Sequence, residues 1–138
     1  MDFLPWSEKY ELKIDEIDSQ HRVLFTLINQ LYGQLMQLTP PLESQKILDE
    51  LIRYTEIHFV YEETIFERLP MDKFDKDLHK LEHREFCKQI ASYREKLNNG
   101  DANFIADMLG FLKDWLKEHI LETDMIYKRE YFKHGSNT

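Results

Sequence analysis

Three short spacings in this sequence carry residue types that can hold a metal. His58 and Glu62 are four apart, His79 and His83 are four apart, and His119 and Asp124 are five apart, while His21 stands alone upstream. Imidazole is a ligand for zinc, copper, iron and nickel, and a carboxylate can bridge two metals. Five imidazoles and two carboxylates are too many donors for one tetrahedral zinc. They are the right number for two metals with both carboxylates bridging. Two divalent ions bring four positive charges, and two carboxylates and a hydroxide leave one, which a buried site tolerates far better.

Helix geometry decides how far this reading goes. Residues i and i+4 lie on one face of an α-helix, one turn apart. His58 and Glu62 therefore converge beside one helix, and His79 and His83 beside another. Five residues turn a regular helix through roughly 500°, so His119 and Asp124 can share a centre only if their helix breaks between them. Glu122 has the better helical spacing from His119 and competes with Asp124. Glu63, five from His58, competes less well with Glu62. A lone histidine such as His21 is ordinarily a surface or hydrogen-bonded residue and gains weight only in company. His134 has no such company and reads as solvent-exposed. Cys87 follows His83 by four and reads as a small buried thiol.

The elements that must carry these residues are helical. The chain is 42% hydrophobic and 32% charged, with four Gly and four Pro in 138 residues, a balance that favours helices over sheets and turns. Residues 1–17 read as an extended arm that packs Phe3, Leu4 and Trp6 on the domain surface. Asp18 or Ser19 can cap a first helix to about Leu38, with Leu24, Phe25, Ile28, Leu31, Tyr32 and Leu35 at helical spacing. Pro40 and Pro41 end it and open a second helix, about Leu42 to Leu69, with Ile47, Leu48, Leu51, Tyr54, Phe59, Ile65 and Phe66 on its apolar face. Asp72 or Asp75 starts a third to about Leu97, with Leu78, Leu81, Phe86, Ile90 and Tyr93 as its stripe. Asn98, Asn99 and Gly100 stop it, and Asp101 caps a fourth carrying Phe104, Met108, Phe111, Leu112 and Trp115. A short helix from about Met125 to Phe132 precedes a polar tail. The expectation is one all-α domain: an arm, an up-down-up-down four-helix bundle over about 18–122, and a terminal helix and tail over about 123–138.

Bulk properties exclude several classes. The net charge of −8 argues against nucleic acid, whose phosphates are bound mostly by Lys and Arg. No run of 18 apolar residues suggests a membrane span, and Met1–Tyr10 lacks the charged start and apolar run of a signal peptide. A single cysteine fits a reducing, cytoplasmic setting. No histidine has Glu three positions before it, unlike carboxylate-rich di-iron enzymes, and there is no HExxH of a zinc hydrolase.

The whole constellation resembles the hemerythrin family: His21, then His58-Phe-Val-Tyr-Glu62, then His79-Lys-Leu-Glu-His83, then His119-Ile-Leu-Glu-Thr-Asp124. The approach Ile14-Asp-Glu-Ile-Asp-Ser-Gln-His21 is similar to that of single-domain bacterial hemerythrins, and the resemblance spans about residues 6–132. It implies an oxo- or hydroxo-bridged pair of iron ions. His79, His83 and His119 would hold one iron and His21 and His58 the other, leaving one open position. Glu62 and Asp124, in preference to Glu63 and Glu122, would bridge. It also implies reversible dioxygen binding in an apolar pocket lined by Leu24, Phe59, Trp115, Leu116 and Ile120, for delivery, storage or sensing. The alternatives are a di-iron oxidase, peroxidase or nitric-oxide-handling enzyme, and an iron sensor or store. Tyr127, three after Asp124, would pack near that carboxylate. A monomer is expected, with any protein partner unidentified.

Overall fold

A computed structural model describes residues 2–37, 43–100 and 103–134. Among them the chain is helical, with no strand. The main elements are α1 (Asp15–Leu35), α2 (Glu43–Glu67), α3 (Lys73–Asn98) and α4 (Ile105–Glu118). A π-helical segment, His119–Asp124, then runs directly into α5 (Met125–His134). Helices α1 and α2, α2 and α3, α3 and α4, and α4 and α1 are neighbours, which closes a four-helix bundle around one core. Pro40, Pro41, Leu42 and Asp101, expected to punctuate these helices, lie outside the described residues, as does the side chain of His134.

The helix starts differ instructively from expectation. Asp72 caps α3 as expected, accepting from the Phe74 N–H at 2.8 Å. Gly100 follows α3 at φ 77°, the left-handed stop that a glycine supplies without steric cost. By contrast α1 begins at Asp15, with Ile14 ahead of it and no side-chain cap. Asp18 is buried one turn inside, where it reaches back and accepts from the Leu12 and Lys13 N–H groups at 2.8 and 3.0 Å. Those bonds hold a tight corner in which Lys13 sits at φ 65°.

The corner explains a second difference. The arm is anchored more deeply than a surface strap: Leu4, Tyr10, Leu12 and Ile14 are buried, with Leu4 and Leu12 sealed completely, while Pro5, Ser7, Glu8 and Lys9 stay exposed. Asn29 of α1 clamps the Leu4 backbone from both sides, accepting from its N–H at 2.7 Å and donating to its carbonyl at 2.9 Å. Phe3 stacks on Tyr32 at 4.4 Å, and Trp6 and Tyr10 meet Phe25 edge-on.

In α3, Phe86, Ile90 and Tyr93 are buried, but Leu78 and Leu81 are 40% and 43% exposed. At about 100° per residue they stand well away from His79 around the helix. His79 and His83 occupy the inward face that the apolar stripe had assigned to the leucines.

Candidate metal centre

Four elements bring seven side chains together in the bundle core. His21 comes from the first turns of α1, His58 and Glu62 from α2, and His79 and His83 from α3. His119 and Asp124 come from the π-helical segment. All seven are buried, with at most 3% of each exposed. The donor atoms of six of them form two groups that share Glu62: Glu62 with His79, His83 and His119, and Glu62 with His21 and His58.

The helix carrying His119 and Asp124 does not break. It widens to the π form, in which hydrogen bonds run from i to i+5, so residues five apart come to one face and the helix continues unbroken into α5. Glu122, the regular-spacing competitor, is left exposed. Glu63 is not in the cluster either. It is half-buried and accepts from His83 Nδ1.

The carboxylates face both groups. Glu62 Oε1 lies 3.0, 2.9 and 3.8 Å from the Nε2 atoms of His79, His83 and His119. Its Oε2 lies 3.9 and 3.7 Å from those of His21 and His58. Asp124 also faces both groups. Oδ1 is 3.1 Å from His79 Nε2 and 3.2 Å from His119 Nε2, and Oδ2 is 3.3 Å from His21 Nε2.

These groups fit a metal better than one another. Both ring nitrogens of His21 and both oxygens of Asp124 are sealed from solvent without a hydrogen-bond partner, a cost that native structures rarely leave unpaid. The Nε2 of His119 lies 3.1 Å from those of both His79 and His83. Two ring-nitrogen donors at right angles on an ion, with bonds of roughly 2.1 Å, stand roughly 3.0 Å apart.

The rings are aimed from behind. His58 Nδ1 meets Gln20 Oε1 at 2.6 Å, His83 Nδ1 meets Glu63 Oε2 at 2.8 Å, and His119 Nδ1 meets Glu82 Oε1 at 2.8 Å. Donating from Nδ1 leaves the Nε2 lone pair facing the centre. Thr123 also donates to Glu82, at 2.8 Å. Tyr127 lies within electrostatic reach of Asp124, as expected, and its buried hydroxyl donates to the other carboxylate, Glu62 Oε2, at 2.8 Å. Phe59 stacks on His83, Phe66 on His79 and Trp115 on His119.

Electrostatics divide the imidazoles. Burial pulls His58 down to about 3. Burial also opposes charging of His79, but Asp124 and Glu62 outweigh it and push the ring up to about 9. His119 goes the same way, with Asp124, Glu62 and Glu82 overcoming burial. In protein stripped by a chelator these shifts set a pH optimum. Between about 3 and 6.5 the unfolded chain binds a proton at His58 that the folded chain refuses, so stability rises with pH. Between 6.5 and about 9 the folded chain keeps the His79 proton that the unfolded chain has lost, so stability falls. Urea midpoints of stripped protein should therefore peak near pH 6.5, and a midpoint that keeps rising to pH 9 would contradict this assignment.

An apolar cavity of about 10 Å³ lies in the core between Leu24, Ile28, Leu51, Thr55, Phe59, Phe86, Trp115 and Leu116, about the least that admits one water-sized molecule. Four of the five residues expected around a gas pocket are on its wall. Ile120 is fully buried but is not on that wall. Cys87 is half-buried against the core, and burial raises its thiol.

Fold and site together define a metal-binding four-helix bundle built on imidazole and carboxylate. Residues 12–131 match the hemerythrin HHE cation binding domain. The chain is 39% identical to a bacteriohemerythrin of Clostridium acetobutylicum, over 88% of this chain and 96% of that one. It is 30% identical to a bacteriohemerythrin of Methylococcus capsulatus, over 92% and 95%. A crystal structure of wild-type hemerythrin superposes with a TM-score of 0.83 at 29% identity, covering 93% of this chain and 97% of the other. The chain belongs to the hemerythrin family, and its His/Glu cluster is consistent with oxygen binding at a di-iron centre. No described helix is long and apolar enough to cross a membrane.

Gln20, Glu63, Glu82 and the bond from Tyr127 to Glu62 were not found from spacing. Gln20, Glu63 and Glu82 lie 38, 20 and 37 residues from the histidines they support. Each had only the weak local signal of a polar residue beside or near a ligand.

Proposed function

We propose that the chain holds two irons and binds dioxygen reversibly, without turning it over. His79, His83 and His119 hold one ion, His21 and His58 hold the other with a position left open, and Glu62 and Asp124 bridge. The observation that carries this reading is the division of the carboxylates, each offering one oxygen to either group of histidines. A pair of ferrous ions held so supplies the electrons that dioxygen takes on binding and returns on release.

The chain's own part is to orient and to exclude. Phe59, on the wall of the apolar cavity, stacks on His83 at 3.8 Å and meets His58 at 5.8 Å, so the cavity adjoins the centre. The hydroxyl on that wall, of Thr55, is occupied in donating to the Leu51 carbonyl at 2.6 Å. The wall offers no acid to protonate a bound ligand, and a dry surround keeps bulk water from displacing it. This favours binding over oxidase or peroxidase turnover.

The test is a reversible spectrum. Anaerobic ferrous protein should contain two irons per chain, gain a visible charge-transfer band under oxygen, and lose it on degassing over repeated cycles. One zinc per chain, or prompt irreversible oxidation with stoichiometric peroxide, would overturn the proposal.

A further inference from the structure

The histidines are not backed alike. In the three-histidine group, His83 and His119 each present Nδ1 to a carboxylate, Glu63 and Glu82, at 2.8 Å. In the two-histidine group, His58 presents Nδ1 to the neutral amide of Gln20 at 2.6 Å, and His21 Nδ1 has no partner. Two carboxylates therefore accept directly from ligands at one end, whereas at the other the carboxylate of Glu16 reaches His58 only through Gln20, whose Nε2 donates to it at 3.3 Å. The bridging carboxylates cannot create this difference, because both face both ends.

A carboxylate that accepts a ligand's N–H makes the imidazole a stronger donor, as amides do less. A stronger donor favours the ion in its higher charge. Glu63 and Glu82 are only 31% and 32% exposed at the side chain, so solvent screens them incompletely. Glu82 is fixed further by Thr123, from within the π-helical segment itself.

We propose that Glu63 and Glu82 are positioning residues that make the di-iron centre electronically lopsided. They lower the reduction potential of the ion held by His79, His83 and His119 relative to the ion held by His21 and His58. This rests on the di-iron reading above. Each step concerned is a one-electron exchange, a ferric ion taking one electron to become ferrous, with the electron supplied or removed by an electrode through a dissolved mediator. On oxidation from the diferrous state, the first electron leaves the three-histidine end. The open end, where the ligand would bind, stays ferrous longer.

Glutamine keeps the accepting oxygen at nearly the same place and removes only the charge, so it separates electronic influence from mere ring placement. The experiment uses intact, iron-loaded protein: wild type, Glu63→Gln, Glu82→Gln, the double variant, and Gln20→Glu. Iron is counted first, then potentials are measured by spectroelectrochemical titration and the two iron environments by Mössbauer spectroscopy. The double variant should favour reduction at the first couple by about tenfold, which is about 59 mV for one electron, with the change concentrated in one Mössbauer component. Gln20→Glu should act in the opposite sense on the other component and narrow the difference between the ends. An iron-loaded double variant with both couples and both components unchanged would overturn the proposal. So would equal shifts at both ends, or iron loss from folded Gln variants, which would make the carboxylates determinants of affinity. A wild-type count other than two irons would instead remove the di-iron reading, and shows before any potential is measured.

Discussion

Replacing Glu62 by alanine should leave the folded protein with less than about a tenth of its iron. Glu62 is shared by both donor groups. Its Oε1 serves the histidines of α3 and the π-helical segment, and its Oε2 serves those of α1 and α2. Loss of a residue that only orients a ligand typically costs about 10–100-fold in affinity, so loss of a shared ligand should cost at least as much. Asp124 alone would then balance two divalent ions in a sealed core, which is unfavourable. The Tyr127 hydroxyl, fully buried, would lose its acceptor as well. Glu122→Ala is the control: it lies in the same stretch as His119 and Asp124 but is exposed, and it should keep its iron. Metal analysis of the two proteins after identical loading decides the matter. Near-full iron in Glu62→Ala, or equal loss in both, would mean that Glu62 does not hold the centre.

Phe66→Ala should cost about 3–5 kcal/mol, the usual range for deleting a buried aromatic ring from a packed core. Phe66 is completely buried. It stacks on His79 at 4.5 Å and lies 6.0 Å from Tyr127 and 6.5 Å from His83. It is thus both core and the wall that keeps two ligands and the hydroxyl supporting Glu62 in place. Such a loss is a large share of the roughly 5–15 kcal/mol that holds a domain folded, and in a chain of this size corresponds to about 10–20 °C in Tm. Thermal unfolding of chelator-stripped protein measures it apart from metal binding. A fall of less than a few degrees would mean that the site carries little of the packing load. Leu78→Ala, at an exposed position of α3, should change little by comparison.

Much of this architecture was legible from local rules. The pairs His58–Glu62 and His79–His83 follow from the pitch of a helix, and the structure places all four side chains in the core. The stop at Gly100 and the cap at Asp72 follow from turn chemistry. His119 and Asp124 show where such rules stop. Their spacing demanded a departure from the regular helix, but a break and a π-helical widening satisfy it equally on paper. The folded chain takes the second: the widened turn keeps the helix continuous into α5 while delivering both side chains inward. Leu78 and Leu81 mark the opposite failure. Apolar spacing ranked them as core, yet a helix can turn only one face inward, and the histidines hold it.

Local sequence was enough to show which residue types could meet a metal and that helices carry them, since periodicity and side-chain chemistry are properties of short segments. How those donors are shared and supported emerges only once the helices are packed. Glu62 and Asp124 each face two histidine groups, Glu63 and Glu82 back one end, Gln20 backs the other, and Leu4, Tyr10, Leu12 and Ile14 of the arm reach the core. The reason is physical. A hydrogen bond or a bridging geometry is set by the relative position of two helices, and residues some 20 to 40 apart in sequence carry no local signature of the distance that folding puts between them.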